Sequence, residues 1–522
     1  MEFADRLNSA LEGGDEAASA LTALTTWNDE IEAFLSAPPA PQTGKISEEA
    51  KNQCSKETLT KVSAKLHHGV LGSFHPMIGE VDEEISEERG EELTRSALNH
   101  FQQYPDDANK EKLAAHVRAT KNLLRWYIQI FLEKEDRLST PITQRLQSDA
   151  MLELFVRLLE QNCGDTDDIY RRDLARNCSL FFFYATYGSF PGDKTAQKSM
   201  NHLVVNLGFP QIALRSLLKP CTTALALSLV RNIHSILVSL EGGMKIVAAI
   251  SFDWDASTFG GAPWAPKDAG KVTFLSVFGE IIRWSFTSDP PFPGPEDDSR
   301  GELLAEILGC FYALRIGKDL HLIPEFSNRV LDMLRIPNNK EKKAYQCKLS
   351  TISLLMDSNP ALSQCFVDNG AVSSLLEIFD IQVTEVVEGT RVDDSVAALV
   401  PILAVLNKFC IANAAFRKQL KDFVFPPEAE EEFQRKARER RASTDTTKNM
   451  SPLDAPDGTL RWKLTRLMTW TESHVKRCTS ELMWTICSSD AQEFTLRTGL
   501  GNAIPMLSLK GFMQMPSQTE SS

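Results

Sequence analysis

Apolar residues recur at helical spacing through almost every stretch of this chain that is not dominated by glycine, proline or charge. Val372, Leu375, Leu376 and Phe379 fall on one face of a helix. So do Leu399, Ile402, Leu403 and Leu406, and again Val475, Cys478, Leu482 and Ile486. No series of alternating runs with hairpin turns accompanies them, so the fold class is all-α. Each apolar face needs a neighbouring helix, and 522 residues exceed the roughly 100 to 200 usual for one compact domain. The chain is therefore expected to form several domains or one elongated stack. Three segments favour the stack: VVNLGFPQIALRSLL (204–218), FVDNGAVSSLLEIF (366–379) and LRTGLGNAIPMLSL (496–509). Each reads as a helix end, a glycine turn and a next helix, with glycine supplying the left-handed conformation that ends a helix. That is the unit of an armadillo/HEAT-like helical solenoid, with an irregular helical bundle as the alternative. A solenoid leaves a concave surface lined by one helix of each repeat, suited to extended peptides or domains.

Charge narrows the partners. A formal net charge of −14 at pH 7 and a pI near 5.3 argue against general binding to nucleic acid, whose phosphates need a basic face. A protein partner with basic patches fits better. The apolar stretches at 180–187 and 396–406 fall short of the roughly 18 residues that span a bilayer. The opening MEFADRLNSALEGGDEAASAL lacks a basic region followed by an apolar core, so it does not read as a secretory signal. Ten scattered cysteines without a CxxC pair suit a reducing, cytoplasmic compartment and free thiols in cores.

Proline and glycine mark loops at APPAPQTG (37–44), FGGAPWAPKDAG (259–270) and SDPPFPGPEDD (288–298). The expected organisation is N-terminal helices over 1–36, repeats over 48–427, a charged helix and mobile insertion over 428–459, further repeats over 460–512 and a disordered tail over 513–522. His67 and His68 stand together, but neighbours on a helix point about 100° apart, so they read as surface histidines and no metal is expected. There is no GxSxG and no GxxxxGK[ST], and Gly499-Leu500-Gly501 reads as a helix cap and turn rather than a phosphate cradle. No cofactor and no covalent catalysis are expected. Ser443, after Arg440-Arg441-Ala442, fits the pattern of basophilic kinases and is a candidate phosphosite, against the alternative of a solvated helix end. The acidic run at 79–92 reads as a solvated helix face.

One stretch is more specific. Residues 460–512 read LRWKLTRLMTWTESHVKRCTSELMWTICSSDAQEFTLRTGLGNAIPMLSLKGF. Lys463, Leu464, Arg466, Leu467, Met468 and Thr469, then Val475, Lys476, Arg477, Glu481 and Cys487, then Phe494, Thr498, Gly499, Gly501, Asn502, Ala503, Leu507 and Gly511 form a dispersed pattern. Upstream, FRKQLKDFVFPP (416–427) adds Arg417, Lys418, Leu420, Lys421, Pro426 and Pro427. In these residues the chain resembles the synembryn family of G-protein α-subunit chaperones and guanine nucleotide exchange factors. The resemblance covers about the last 100 residues and extends to about residue 360 through FVDNGAVSSLLEIF. Before that it is architectural, with Asn232 in RNIHSILVSL as a candidate groove residue.

The signature also has a physical reading. Between Leu460 and Arg477, the cations Arg461, Lys463, Arg466, Lys476 and Arg477 face one acid, Glu472, inside an acidic chain. On a helix, Lys463, Arg466 and Trp470 would share one stripe beside a core-facing stripe of Leu464, Leu467 and Met468. The resemblance implies a right-handed armadillo-like superhelix and a G-protein α subunit as partner. Its C-terminal helix would lie in the concave groove and its nucleotide domain near the later repeats. Holding that helix away from its home sheet would loosen the guanine site, so exchange would be conformational and the same grip would shelter a folding partner. The implied contacts are Asn232, Arg417, Lys418, Lys463, Arg466, Lys476, Arg477 and Asn502, in a monomer that is cytoplasmic or brought to the cell cortex by its partner. Family members commonly continue with an acidic, phosphorylatable segment and a helix that reaches the switch region, whereas this sequence runs eleven residues past Gly511. Chaperoning is therefore expected ahead of efficient exchange. A generic armadillo scaffold or adaptor is the alternative function.

Overall fold

The apolar stripes read from the sequence all lie on helices. Val372, Leu375, Leu376 and Phe379 are buried along one helix, Leu399, Ile402, Leu403 and Leu406 along the next, and Val475, Leu482 and Ile486 along a third, with Cys478 half-buried. The computed structural model describes residues 2–12, 17–36, 56–72, 93–95, 107–131, 145–164, 167–186, 194–255, 261–266, 270–294, 298–318, 324–339, 343–389, 392–429, 431–432, 435 and 458–512. Ser443, the acidic run at 79–92, the loop at 37–44, the tail at 513–522, the His68 side chain and nearly all of 428–457 lie outside the described residues.

The chain divides into two compact units, Met1–Ser288 and Asp289–Ser522, a boundary inside the stretch 48–427 that the sequence groups together. In the first unit the order is α1 (Glu2–Glu12), α2 (Ala17–Ser36), α3 (Lys56–Gly72), α4 (Asp107–Phe131), α5 (Asp149–Asn162) and α6 (Ile169–Thr186). Then come α7 (Lys194–Asn201), which runs into a π-helical turn (His202–Asn206), α8 (Phe209–Leu218), α9 (Thr223–Ser239), α10 (Gly243–Ala249) and α11 (Phe274–Thr287). Helix α2 packs on α4, α4 on α6 and α6 on α9, so these four form a row, while α5 and α8 pack against α6 and α9 respectively. This side-by-side order is that of a helical repeat stack, in which each helix buries its apolar face against the repeats beside it.

Local chemistry explains the boundaries. Ser148 accepts from the Met151 amide at 3.4 Å, and Thr222 from the Leu225 amide at 3.2 Å, each starting a helix with a side-chain oxygen on an otherwise unpaired N–H. Gly208 takes φ 63° at the turn into α8, the left-handed conformation for which glycine was singled out. The FFF run of α6 sends Phe181 and Phe182 inward, where Phe155 lies 4.2 Å from Phe181 and Phe209 lies 5.1 Å from Phe182, ring centroid to ring centroid. The sequence did not announce one element. Strands β1 (Ser251–Asp253) and β2 (Lys271–Thr273) pair antiparallel, Ser251 opposite Thr273. Three residues are too few for an alternation to register against helical neighbours. Trp264, between them, is buried and donates Nε1–H to the Leu217 carbonyl at 2.7 Å.

The second unit comprises α12 (Asp298–Ala313), α13 (Pro324–Leu334), α14 (Lys343–Met356), α15 (Leu362–Asp368), α16 (Val372–Glu388), α17 (Val392–Ala412), α18 (Ala414–Val424), α19 (Leu460–Leu467), α20 (Ser473–Ile486), α21 (Ala491–Thr498) and α22 (Leu500–Leu509). Helices α12, α14, α17 and α20 make the corresponding row, each packed on the next. Gly370, before α16, has φ 63° as expected of a left-handed turn, and Gly499, before α22, also takes a positive φ, 85°, though with ψ 146° it lies outside the left-handed helical conformation. Phe409 links the layers, its ring 5.3 Å from Phe366 and 5.5 Å from Phe416.

Candidate partner-binding surfaces

The signature region begins where Thr459 accepts from the Trp462 amide at 3.3 Å and opens α19. The helix ends at Leu467, so Trp470 lies beyond it and cannot continue a stripe with Lys463 and Arg466. The expected single basic face is split. Lys463 is 9% exposed. It donates to Thr384 Oγ1 of α16 at 2.7 Å and lies 3.9 Å from Glu388, so its charge ties α19 to α16. Arg466 points to solvent, its guanidinium 4.7 Å from the centre of the Trp462 ring. Leu464, Leu467 and Met468 are buried as expected.

Arg461 has also been drawn inward. It donates to the Arg497 carbonyl at 2.9 Å and the Leu496 carbonyl at 3.3 Å. Its guanidinium lies 5.8 Å from the centre of the Phe425 ring, and that of Arg497 lies 4.5 Å from it. Phe425 belongs to the FRKQLKDFVFPP segment, so the two halves of the signature meet at one aromatic ring between cations. Lys421 pairs with Glu493 at 2.7 Å across the same junction. Asn502 donates to the Thr498 carbonyl at 2.8 Å and closes the end of α21. Arg417 is half-buried, while Lys418, Lys476 and Arg477 are exposed; Lys418 pairs with Asp422 at 2.7 Å and Arg477 with Glu481 at 3.1 Å.

Between α17 and α20 lies a cleft of about 290 Å³ lined by Pro360, Leu403, Ala404, Asn407, Lys408, Ile411, Ala412, Cys478 and Glu481. Its floor is apolar, and Ile411 at its edge is 66% exposed. Lys408 is held in its wall by the carbonyls of Leu355 at 2.7 Å, Met356 at 2.9 Å and Ser358 at 2.7 Å, where a cation favourably meets the C-terminal end of α14. Burial still dominates its proton affinity and pulls the ammonium down to about 8.

In the first unit, Asn232 turns inward. It is 2% exposed. Its Nδ2 donates to the Ser179 carbonyl at 2.8 Å, to Ser179 Oγ at 3.2 Å and to the Ser228 carbonyl at 2.9 Å, bridging α9 to α6. Asn122 on α4 and Asn177 on α6 are buried likewise, Asn122 donating to Asn28 Oδ1 at 2.9 Å and Asn177 to the Asp173 carbonyl at 2.9 Å. These asparagines stand 55 residues apart, each to the next, and a cation precedes each one: Lys121, Arg176 and Arg231. Those cations went unnoticed in the sequence, where the repeated basic-Asn pair at a fixed interval was the available signal. Lys121 is buried and bonded to Glu32 at 2.6 Å, and Arg118 reaches the same carboxylate at 2.7 Å and Asp29 at 2.8 Å. Burial pushes the Glu32 carboxyl up, but the Arg118 and Lys121 hydrogen bonds outweigh it and hold it at about 2. Arg176 is exposed, and Arg125 and Arg231 are half-buried. The Arg125 guanidinium lies 5.8 Å from the centre of the Tyr184 ring.

Among the described residues no group of three His, Cys, Asp or Glu side chains could hold a metal ion, and no helix is long and apolar enough to cross a membrane. The described cysteines are free thiols, and all but Cys365 and Cys478 are buried.

Residues 284–522, which take in all of the second unit, match the family model described as guanine nucleotide exchange factor synembryn. This stretch is similar to the synembryn family. Curated relatives agree. Chaperone Ric-8A of Gallus gallus is 29% identical over 147 residues, 28% of this chain and 23% of that protein. Chaperone Ric-8A of Bos taurus is 32% identical over 123 residues, 24% of this chain and 19% of that one, and its counterpart in Rattus norvegicus 33% over 113 residues, 22% and 18%. The chain thus matches about a fifth of the length of these relatives. A solved structure described as "A conserved phosphorylation switch controls the interaction between cadherin and beta-catenin in vitro and in vivo" superposes over 98% of this chain and 96% of that one, at 10% identity and a TM-score of 0.39, too loose to carry an argument. The matched stretch holds Arg417, Lys418, Lys463, Arg466, Lys476, Arg477 and Asn502; Asn232 precedes it.

Proposed function

We propose that this chain binds G-protein α subunits, shelters them while they fold and promotes guanine nucleotide exchange by stabilising their nucleotide-free state. The observation that carries this reading is the match of residues 284–522 to a guanine nucleotide exchange factor family, over a stretch that forms a compact unit of its own. The relatives' name adds the chaperone role. Exchange of this kind needs no nucleotide site on the chain. A ligand that prefers the open state of its partner shifts the partner toward it, by as much as its affinity for the two states differs. The same preference for an incompletely closed partner is what a folding chaperone needs.

On the second unit the contacts are the side chains that reach solvent: Lys418, Arg466, Lys476 and Arg477, with half-buried Arg417. The cleft beside Ile411 would seat an apolar side chain. Lys463, Asn502 and Asn232 act indirectly, by holding helices in place. On the first unit the row α4, α6 and α9 receives the partner's C-terminal helix, because that row sets exposed and half-buried arginines beside half-buried Phe183 and Tyr184. The chain works as a monomer in the cytoplasm or, through its partner, at the cell cortex. The test is uptake of a GTP analogue by a purified α subunit, alongside co-translational recovery of folded α subunit, each with and without this protein. Acceleration of uptake supports exchange and improved recovery supports chaperoning. If neither changes, the proposal is wrong.

A further inference from the structure

Helix α22 turns half of its circumference to solvent and puts no charge there. Its buried residues are Ala503, Met506 and Leu507. The open half consists of two rows at intervals of four, Leu500, Ile504 and half-buried Ser508 along one, Gly501, Pro505 and Leu509 along the other. Alone among the described α-helices, α22 contains no charged residue. A helix that is apolar on its outer face as well as its inner one belongs under cover. Gly501 points the same way. Its φ lies outside the left-handed range, and a methyl group added to it would meet nothing within 4 Å. Nothing within the described chain requires glycine there, although glycine weakens a helix; the close approach of a second backbone would require it.

The two rows indicate which helix approaches. With two copies of α22 laid antiparallel across a two-fold axis, Leu500 of one copy faces Ser508 of the other, and Gly501 faces Leu509. Ile504 and Pro505 face themselves at the centre. Large meets small toward both ends, so the surface complements its own copy, as an isologous interface must. Charge agrees. Between Asp490 and Phe512, Asp490 and Glu493 balance Arg497 and Lys510, so two copies meet here without the repulsion of a chain whose net charge is −14. An anionic lipid surface would find only Lys510 beside this face. The area is also of the right order. Leu500, Ile504 and Leu509, with Leu496 before the helix and Phe512 after it, are 36% to 68% exposed. At about 150 Å² for a large apolar side chain, they leave on the order of 400 Å² open. A standard interface takes about 800 Å² from each partner, a little over half of it apolar.

We infer that the free chain pairs with a second copy of itself by packing α22 on α22, antiparallel across a two-fold axis. The pair is a form of the chain without its partner, and the inference is independent of the proposed G-protein reading.

The experiment is sedimentation velocity on the full chain over about 1 to 100 µM, where the mass should rise toward that of two chains. Leu500→Glu sets a charge into the contact and should raise the dissociation constant at least tenfold. Val205→Glu, at another exposed apolar site in the π-helical turn of the first unit, should leave pairing unchanged. Circular dichroism and melting temperature should match wild type in both, since each side chain is exposed within the chain. Gly501→Leu has open space within the chain but sets leucine against leucine across the axis, and should weaken pairing about tenfold. Adding Leu509→Ala restores the order of large against small and should recover most of that loss. One chain at every concentration, assemblies larger than two, or pairing indifferent to Leu500→Glu overturns the inference. So does a Gly501→Leu defect that Leu509→Ala leaves unchanged. Wild-type protein that stays single and floats with phosphatidylserine vesicles, losing flotation in Leu500→Glu, assigns the face to a membrane and overturns the pair.

Discussion

Replacing Asn232 separates a contact residue from a staple. The sequence placed it in a groove that touches the partner, whereas its amide is buried between α9 and α6 and donates three hydrogen bonds from one nitrogen. In Asn232→Ala the Ser179 and Ser228 carbonyls keep their helical partners, so what disappears is two donors' worth of net bonding at about 1 kcal/mol each, plus a small void. The expected destabilisation is about 2 kcal/mol. In a unit of this size each kcal/mol shifts the melting temperature by roughly 2 to 4 °C, so the first unit should melt about 4 to 8 °C lower. Asn232→Asp should be worse, because it sets a carboxylate oxygen against two carbonyls in a buried site. Differential scanning fluorimetry reads the shift, and amide hydrogen exchange localises it to α6 and α9. Affinity for a G-protein α-subunit peptide, measured well below the transition, should stay within twofold of wild type. An unshifted melting temperature together with a lost affinity would refute the staple and restore Asn232 as a contact.

Three further outcomes follow from the same geometry. His116 is buried with Nδ1 2.7 Å from the Lys112 carbonyl, and burial lowers its pKa from 6.5 to about 4. Between those values the unfolded chain binds a proton that the folded chain refuses, so stability falls as pH drops through that window, by about 3 kcal/mol in all. Urea titrations from pH 7 to 4 should show a shallower decline in His116→Gln, and an unchanged slope counts against the assignment. Reversing the charge of exposed Arg466 and Lys476 together should weaken α-subunit binding at least fivefold at low salt with little change in melting temperature, and equal affinity would remove them from the interface. Lys463→Met, by contrast, should lower stability by about 1 kcal/mol through the lost bond to Thr384 and leave affinity unchanged. A binding defect without a stability change would show that Lys463 touches the partner.

Much of the architecture was legible because helical periodicity is a local property. The stripes at 372–379, 399–406 and 475–486 are buried largely as read, and Gly208 and Gly370 adopt the left-handed turns their positions suggested. Gly499 shares their positive φ, at 85°, but its ψ of 146° lies outside the left-handed helical conformation. The site was harder to read. Lys463, Arg466 and Trp470 share a stripe only on a helix longer than α19, which stops at Leu467. Lys121, Arg176 and Arg231 could be seen in the sequence only as a basic-Asn pair repeating every 55 residues.

By itself the sequence determined the all-α class, three helices of the second unit and the resemblance of the C-terminal stretch to a family, since these depend on spacing and residue type along the chain. Only the tertiary structure decided which polar residues face outward. A helix inside a stack has neighbours on both flanks, so a lysine or asparagine at its edge can be buried at little cost when the next helix offers a partner. Asn232 meets Ser179 from 53 positions away, and Lys463 meets Thr384 from 79. No local pattern encodes such meetings, and they separate the side chains that hold the stack together from those that remain to grip something else.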